Sequence, residues 1–155
     1  MSVHASVRTD LQFSLFLANR PGVLQRIAQH LADRKVNIIA LTLQDSTDHG
    51  VLRVVTENPD DARAALANLD LPKTETTVLT VTLPNRPGAL ADVVERLAAE
   101  AINVHYAYCT TGARGGNTLG IFKVSNLGKA QQVLGERRPR RKFRSNVRRA
   151  AAVRH

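Results

Sequence analysis

The chain has 155 residues, 43% of them hydrophobic and 23% charged, with four Phe, two Tyr and no Trp, which excludes a disordered or fibrous polymer and requires a core of aliphatic side chains. Its formal charge of +9 does not describe a basic folded surface: residues 136–155 hold nine Arg or Lys against Glu136, leaving thirteen basic and twelve acidic residues in the first 135, so the excess belongs to a C-terminal tail. A single cysteine, Cys109, excludes an intramolecular disulfide framework, and with no signal-peptide stretch in Met1 to Asp10 and no apolar-rich run longer than Val36 to Leu43, a cytoplasmic location without a membrane span is expected.

In chain order, Phe13, Leu15 and Leu17 alternate with other residues, the period of a strand with one buried face. Asn19-Arg20-Pro21-Gly22-Val23-Leu24 follows, and Leu24, Ile27, Ala28, Leu31 and Ala32 continue it as the apolar stripe of an amphipathic helix. The helix closes on Val36-Asn37-Ile38. Ile38 to Leu43 then predicts a second strand, Asp45 to Gly50 a turn, and Val51 to Val55 a third strand. Asn58 as N-cap, Pro59 at the first helical position and Asp60 and Asp61 in the first turn predict a second helix over Pro59 to Leu69. Lys73 to Val78 is a weak fourth strand that runs directly into the next element.

At an offset of 66 residues the pattern repeats. Leu79, Val81 and Leu83 form a strand stripe, Asn85-Arg86-Pro87-Gly88-Ala89-Leu90 restates the first motif with five of six positions identical, and Leu90, Val93, Val94, Leu97 and Ala98 restate the helix. Ile102-Asn103-Val104 ends it, Val104 to Cys109 and Leu119 to Val124 are the next strands, and Leu127 to Leu134 the last helix. The order strand, helix, strand, strand, helix, strand is βαββαβ, a ferredoxin-like α+β unit whose helices cover one face of an antiparallel sheet. Two such units edge to edge make an eight-stranded sheet if both fourth strands form. After Leu134 the chain reads Gly135-Glu136-Arg137-Arg138-Pro139-Arg140, a poor strand because of its proline and like charges. An edge left open there would be available to a partner subunit.

In the repeated motif, proline gives up an N–H that the first helical turn cannot pair, and glycine clears the side chain from the helix mouth. Bare backbone donors and a partial positive charge suit a carboxylate or phosphate, and Asn19 and Asn85 can both donate and accept. The same residues could serve only to turn a strand into a helix. Arg20 and Arg86 are better read as solvated, and Asn37 and Asn103 as turn residues at least as readily as ligands.

With these motifs, residues of about 11 to 135 resemble tandem ACT domains, the ligand-sensing modules of amino-acid metabolism, and are similar to ACT-only proteins and to acetolactate synthase small subunits. The resemblance implies units at 11–77 and 78–135 followed by a disordered basic tail at 136–155. It implies a small amino acid bound at interfaces between ACT units. Its contacts would come from Asn19, Gly22, Val23 and Leu24 in the first copy and Asn85, Gly88, Ala89 and Leu90 in the second, faced by Asn37 and Ile38 or Asn103 and Val104 of a partner unit. It further implies a homo-oligomer, a dimer in the simplest case, with a biosynthetic enzyme as a possible partner.

Catalytic groups are missing from this pattern. Cys109 and His105 lie four residues apart on one predicted strand, about 13 Å. His4, His30, His49, His105 and His155 lack metal-ligand spacing, and Gly112-Ala113-Arg114-Gly115-Gly116 matches neither a dinucleotide fingerprint nor a P-loop. No enzyme activity, metal or cofactor is expected. The tail could contact nucleic acid, but Phe143 is its only aromatic residue and no recognition signature appears. The expected function is therefore a non-catalytic amino-acid sensor. A regulatory subunit of an amino-acid biosynthetic enzyme stands second, and a nucleic-acid-associated protein acting through the tail third.

Overall fold

A computed structural model describes residues 6–18, 20–46, 49–110 and 116–136. The elements run β1 (Val7–Ala18), α1 (Val23–Asp33), β2 (Ile38–Asp45), β3 (His49–Thr56), α2 (Pro59–Ala67), β4 (Lys73–Pro84), α3 (Ala89–Ala99), β5 (Val104–Cys109), β6 (Asn117–Val124) and α4 (Leu127–Gly135). The six strands form one antiparallel sheet in the order β2-β3-β1-β4-β6-β5.

Among the described residues the sheet has six strands rather than eight, because its two central strands each serve both repeats. β4 is continuous: Lys73 to Val78 pairs with Leu15 to Asp10 of β1, while Leu79 to Pro84 pairs with β6 on the other side. β1 does the converse. Gln12 to Ala18 pairs with β3, and its first residues, Val7 to Thr9, pair with Val81 to Leu79. The place beside β4 where the second repeat's fourth strand is expected is thus taken by the chain's own N-terminal strand. The residues after Glu136, where the repeat pattern predicts that strand, lie outside the described residues. The edge proposed for a partner subunit is covered from within.

Alternation sorts each strand into two faces. Phe13, Leu15 and Leu17 of β1 with Leu52 and Val54 of β3 meet Ile27, Leu31, Ala62 and Leu66 of the first two helices. Leu79, Val81, Leu83, Phe122 and Val124 meet Val93, Leu97, Ala130 and Leu134 of the other two, and Val7 packs against this second cluster. The four helices of the described residues lie on one face. The opposite face is not left wet, because the sheet curls. Ala40, Val55, Val78 and Ile121 form a third buried cluster with Tyr108 of edge strand β5 and Ile39 of edge strand β2 packed on it. On a flat sheet β5 would stand three spacings, roughly 14 Å, from β1, yet Tyr106 and Tyr108 both hydrogen-bond Gln12 of β1.

Local signals explain the helix ends. Asn58 and Asn126 accept from the N–H groups of Asp61 and Lys129 at 3.2 and 3.0 Å, side-chain caps for α2 and α4. α1 and α3 finish alike: Val36 N–H reaches Leu31 O and Lys35 N–H reaches Ala32 O, and Ile102 and Ala101 do the same to Leu97 and Ala98. These Schellman closures place Lys35 and Ala101 at φ 56° and 54°. Among the described residues no helix is long and apolar enough to cross a membrane.

Candidate functional site

Both Pro-Gly motifs sit at strand-to-helix corners. Gly22 and Gly88 are the N-cap residues of α1 and α3, each at φ 87°, a left-handed conformation that glycine adopts without strain. Neither helix has a side-chain cap, so the first-turn N–H groups depend on other partners. The corners differ in charge: the first turn of α3 contains Asp92, whereas that of α1 contains no acid. In the second corner Ala89 is buried and its N–H points to Arg86 O at 3.4 Å, while Asn85 N–H donates to Gly116 O at 2.9 Å.

At the first corner a cleft enclosing about 80 Å³ lies between the start of α1 and the far end of β2. It is lined by Leu17, Ala18, Arg20, Val23, Leu24, Leu43, Gln44, Asp45 and Gly50. Val23 and Leu24, expected as contacts, are in this lining; Gly22 adjoins it, and Asn19 falls outside the described residues. Leu24 and Leu43 keep 39% and 46% of their surface exposed, which leaves large aliphatic groups uncovered at the cleft. Leu90 of the second corner is 48% exposed.

The facing residues are not brought to these corners within their own repeat. Ile38 opens β2 and Asp45 closes it, so Asn37 and Ile38 stand roughly 17 Å or more along the strand from Leu43, the first β2 residue of the cleft. There Asn37 O accepts from Glu57 N–H, and Ile38 packs on the first core. Asn103 is held likewise: its N–H donates to Ser125 Oγ at 3.0 Å and its carbonyl accepts from Ser125 N–H, while Val104 packs on the second core. Arg20 and Arg86 are exposed, and only Arg20 lines the cleft.

Leu43, Gln44, Asp45 and Gly50 were not legible as site residues. In the sequence, Leu41 and Leu43 alternate as if facing a core; only the β2–β3 register, which sets Asp45 opposite Gly50, carries the end of that hairpin to the β1–α1 corner. Elsewhere, desolvation raises the Cys109 thiol above its ordinary pKa, which works against a thiolate nucleophile. No cluster of three or more His, Cys, Asp or Glu side chains able to hold a metal occurs among the described residues.

A family model described as an ACT domain pair matches residues 8–142. The chain belongs to the ACT domain pair family. ACT domains are regulatory, amino-acid-binding allosteric modules, and this pair makes up nearly the whole chain. The pair is similar to a crystal structure of protein BT0572 from Bacteroides thetaiotaomicron, with 32% identity and a TM-score of 0.76 over 83% of this chain and 88% of that one. It shares its fold with the ligand-free regulatory subunit of aspartate kinase from Thermus thermophilus, at 14% identity and a TM-score of 0.65 over 84% and 93% of the two chains. It also shares it with Escherichia coli aspartokinase III in complex with aspartate and ADP, at 17% identity and a TM-score of 0.56, covering 84% of this chain and 31% of that one. No curated protein sequence matches the chain.

Proposed function

We propose that this ACT pair is a non-catalytic cytoplasmic sensor that binds a small amino acid at its strand-to-helix corners and passes the occupancy on through assembly or a partner protein. The observation that carries the reading is the cleft beside Gly22 in a chain of this family: an uncapped helix start meets aliphatic walls and two opposite charges. The N–H groups of Gly22, Val23 and Leu24 would take the carboxylate in the first copy and those of Gly88 and Leu90 in the second, where the Ala89 N–H would have to leave Arg86 O to join them, with Asn19 and Asn85 orienting the corner. Because Asn37, Ile38, Asn103 and Val104 lie at the opposite strand ends, they reach a ligand only from another ACT unit. That need favours a homodimer. Regulation then requires that the ligand prefer one state of the assembly, since equal affinity for both shifts nothing.

A second reading is a regulatory subunit of an amino-acid biosynthetic enzyme, favoured by the fold shared with the aspartate kinase regulatory subunit. Co-purification with a larger catalytic chain separates it from a stand-alone sensor.

The test is a thermal-shift screen of the whole chain against the twenty amino acids, each at about 100 times a plausible Kd, where binding to the native state alone adds about 2.7 kcal/mol. Several degrees of selective stabilisation, lost in Asn19→Ala or Gly22→Ala, are expected. No shift with any amino acid would overturn the sensor reading for the isolated protein.

A further inference from the structure

The two corners share a motif but differ in the hairpin residues that face it. The first cleft carries one carboxylate, Asp45, and one guanidinium, Arg20, around the aliphatic side chains of Leu17, Val23, Leu24 and Leu43. One acid and one base set about apolar walls match a zwitterion with an uncharged side chain. A ligand whose side chain bears its own charge would bring it against those walls with no counter-charge in the lining, and desolvating an unpaired charge is costly.

The second corner lacks the equivalents of Leu43 and Asp45, and its own acid, Asp92, stands on the helix instead. At the repeat offset, Leu43 corresponds to Cys109 and Asp45 to Thr111. Leu52, opposite Leu43 in the first hairpin, is replaced by Gly120 opposite Cys109. The space that a side chain would use at Gly120 is filled by the Phe122 ring, which a Cβ there would meet at 2.7 Å. Leu83, Leu90 and Arg86 repeat Leu17, Leu24 and Arg20, but the side of the cleft formed by Leu43 and Asp45 is not repeated.

From this difference we infer that the first corner is selective for a neutral aliphatic amino acid, with Asp45 as the acceptor of its ammonium group, and that the second corner does not share this selectivity. The inference rests on the sensor reading and adds the ligand class and its determining residue. A carboxylate has two oxygens with several acceptor sites, so Asp45 can take an ammonium in addition to contacts within the chain. A charge-assisted hydrogen bond to the amine also distinguishes an amino acid from the corresponding 2-oxo acid, which has nothing to donate.

Isothermal titration of the full chain with valine, leucine and isoleucine, and with aspartate and lysine, tests it, alongside Asp45→Asn, Leu43→Glu and the distant control Asp70→Asn. Asp45 and Leu43 are exposed at the end of an edge strand, and circular dichroism establishes that each variant is folded. The expected result is binding of an aliphatic amino acid that weakens at least about tenfold in Asp45→Asn, weakens in Leu43→Glu, and is unchanged in Asp70→Asn. Equal affinity in wild type and Asp45→Asn would overturn the inference and leave the sensor reading standing, as would a preference for aspartate or lysine. Failure of all five to bind the wild type would overturn the inference, and failure of all twenty in the thermal-shift screen would remove the sensor reading as well.

Discussion

Gln12 is fully buried in β1, and both amide donors and one acceptor site of its side chain are engaged by other side chains. Nε2 donates to Tyr106 Oη at 2.7 Å and to Ser14 Oγ at 3.3 Å, and Oε1 accepts from Tyr108 Oη at 2.8 Å. Arg53 lies 4.1 Å from the centre of the Tyr106 ring and donates to Gln44. At the repeat-related positions stand Val78, Ala40 and Thr42, and Val78 and Ala40 belong to the apolar cluster. The fold therefore accepts apolar residues here, and the polar half is a property of this sequence. Removing one partner is expected to cost more than removing all. Gln12→Leu should lower unfolding free energy in urea by about 1 to 3 kcal/mol, and adding Tyr106→Phe and Tyr108→Phe should recover part of that loss. The Tyr108 hydroxyl is pushed up from its ordinary value of 10.0, chiefly by burial and further by Tyr106, against the opposing charge of Arg53. Above pH 10 the unfolded chain releases this proton while the folded chain keeps it. Stability from this group is thus complete below pH 10 and lost as pH rises beyond it. Tyr108→Phe should flatten the alkaline limb of a Tm-against-pH curve.

At the scale of elements, the two helix exits show a cost that the sequence accepts. Lys35 and Ala101 hold left-handed conformations that L-residues adopt at roughly 1 to 2 kcal/mol, and glycine is the residue these closures usually carry. Lys35→Gly and Ala101→Gly should each raise stability by about 0.5 to 1 kcal/mol once the greater freedom of glycine in the unfolded chain is subtracted. In thermal unfolding that amounts to a Tm increase of about 1 to 4 °C. A decrease in Tm would show that the side chains, rather than the turn, hold those ends. α4 is fastened differently: Arg96 of α3 donates to the carbonyls of Val133, Leu134 and Glu136, a cation at the helix end where the dipole favours it.

For the whole molecule, the shared central strands tie the two repeats into one cooperative body. Val7 to Thr9 complete the sheet beside Leu79 to Val81, Ser6 O accepts from Thr82 N–H, and Val7 covers part of the second core. Deleting residues through Asp10 should therefore damage the repeat remote in sequence, lowering stability by on the order of 3 kcal/mol through lost burial and ladder bonds. Hydrogen exchange should locate the loss in β4 and α4; a loss confined to β1 and β3 would contradict this account. Residues 78–135 alone, which lack that strand, are not expected to fold.

The sequence by itself determined the α+β class and the family, because strand and helix periods, N-caps and Pro-Gly corners are local: each depends on residues within a few positions, and each occurs twice. Gly22 and Gly88 were legible as bare corners before each helix, but their left-handed N-cap conformation, which leaves Pro21 and Pro87 ahead of the helices rather than in the first turn, was not. What only the tertiary structure decided depends on residues far apart in the chain. Alternation shows that Val7 to Ala18 has a buried face but not that its first residues serve the second repeat, since any strand of fitting length can fill that place. Nor does alternation distinguish Leu43 at an uncovered edge from Leu52 beneath a helix. The cleft with Asp45, and the meeting of Gln12 with two tyrosines more than ninety residues away, come from register and sheet curvature, which no local pattern encodes.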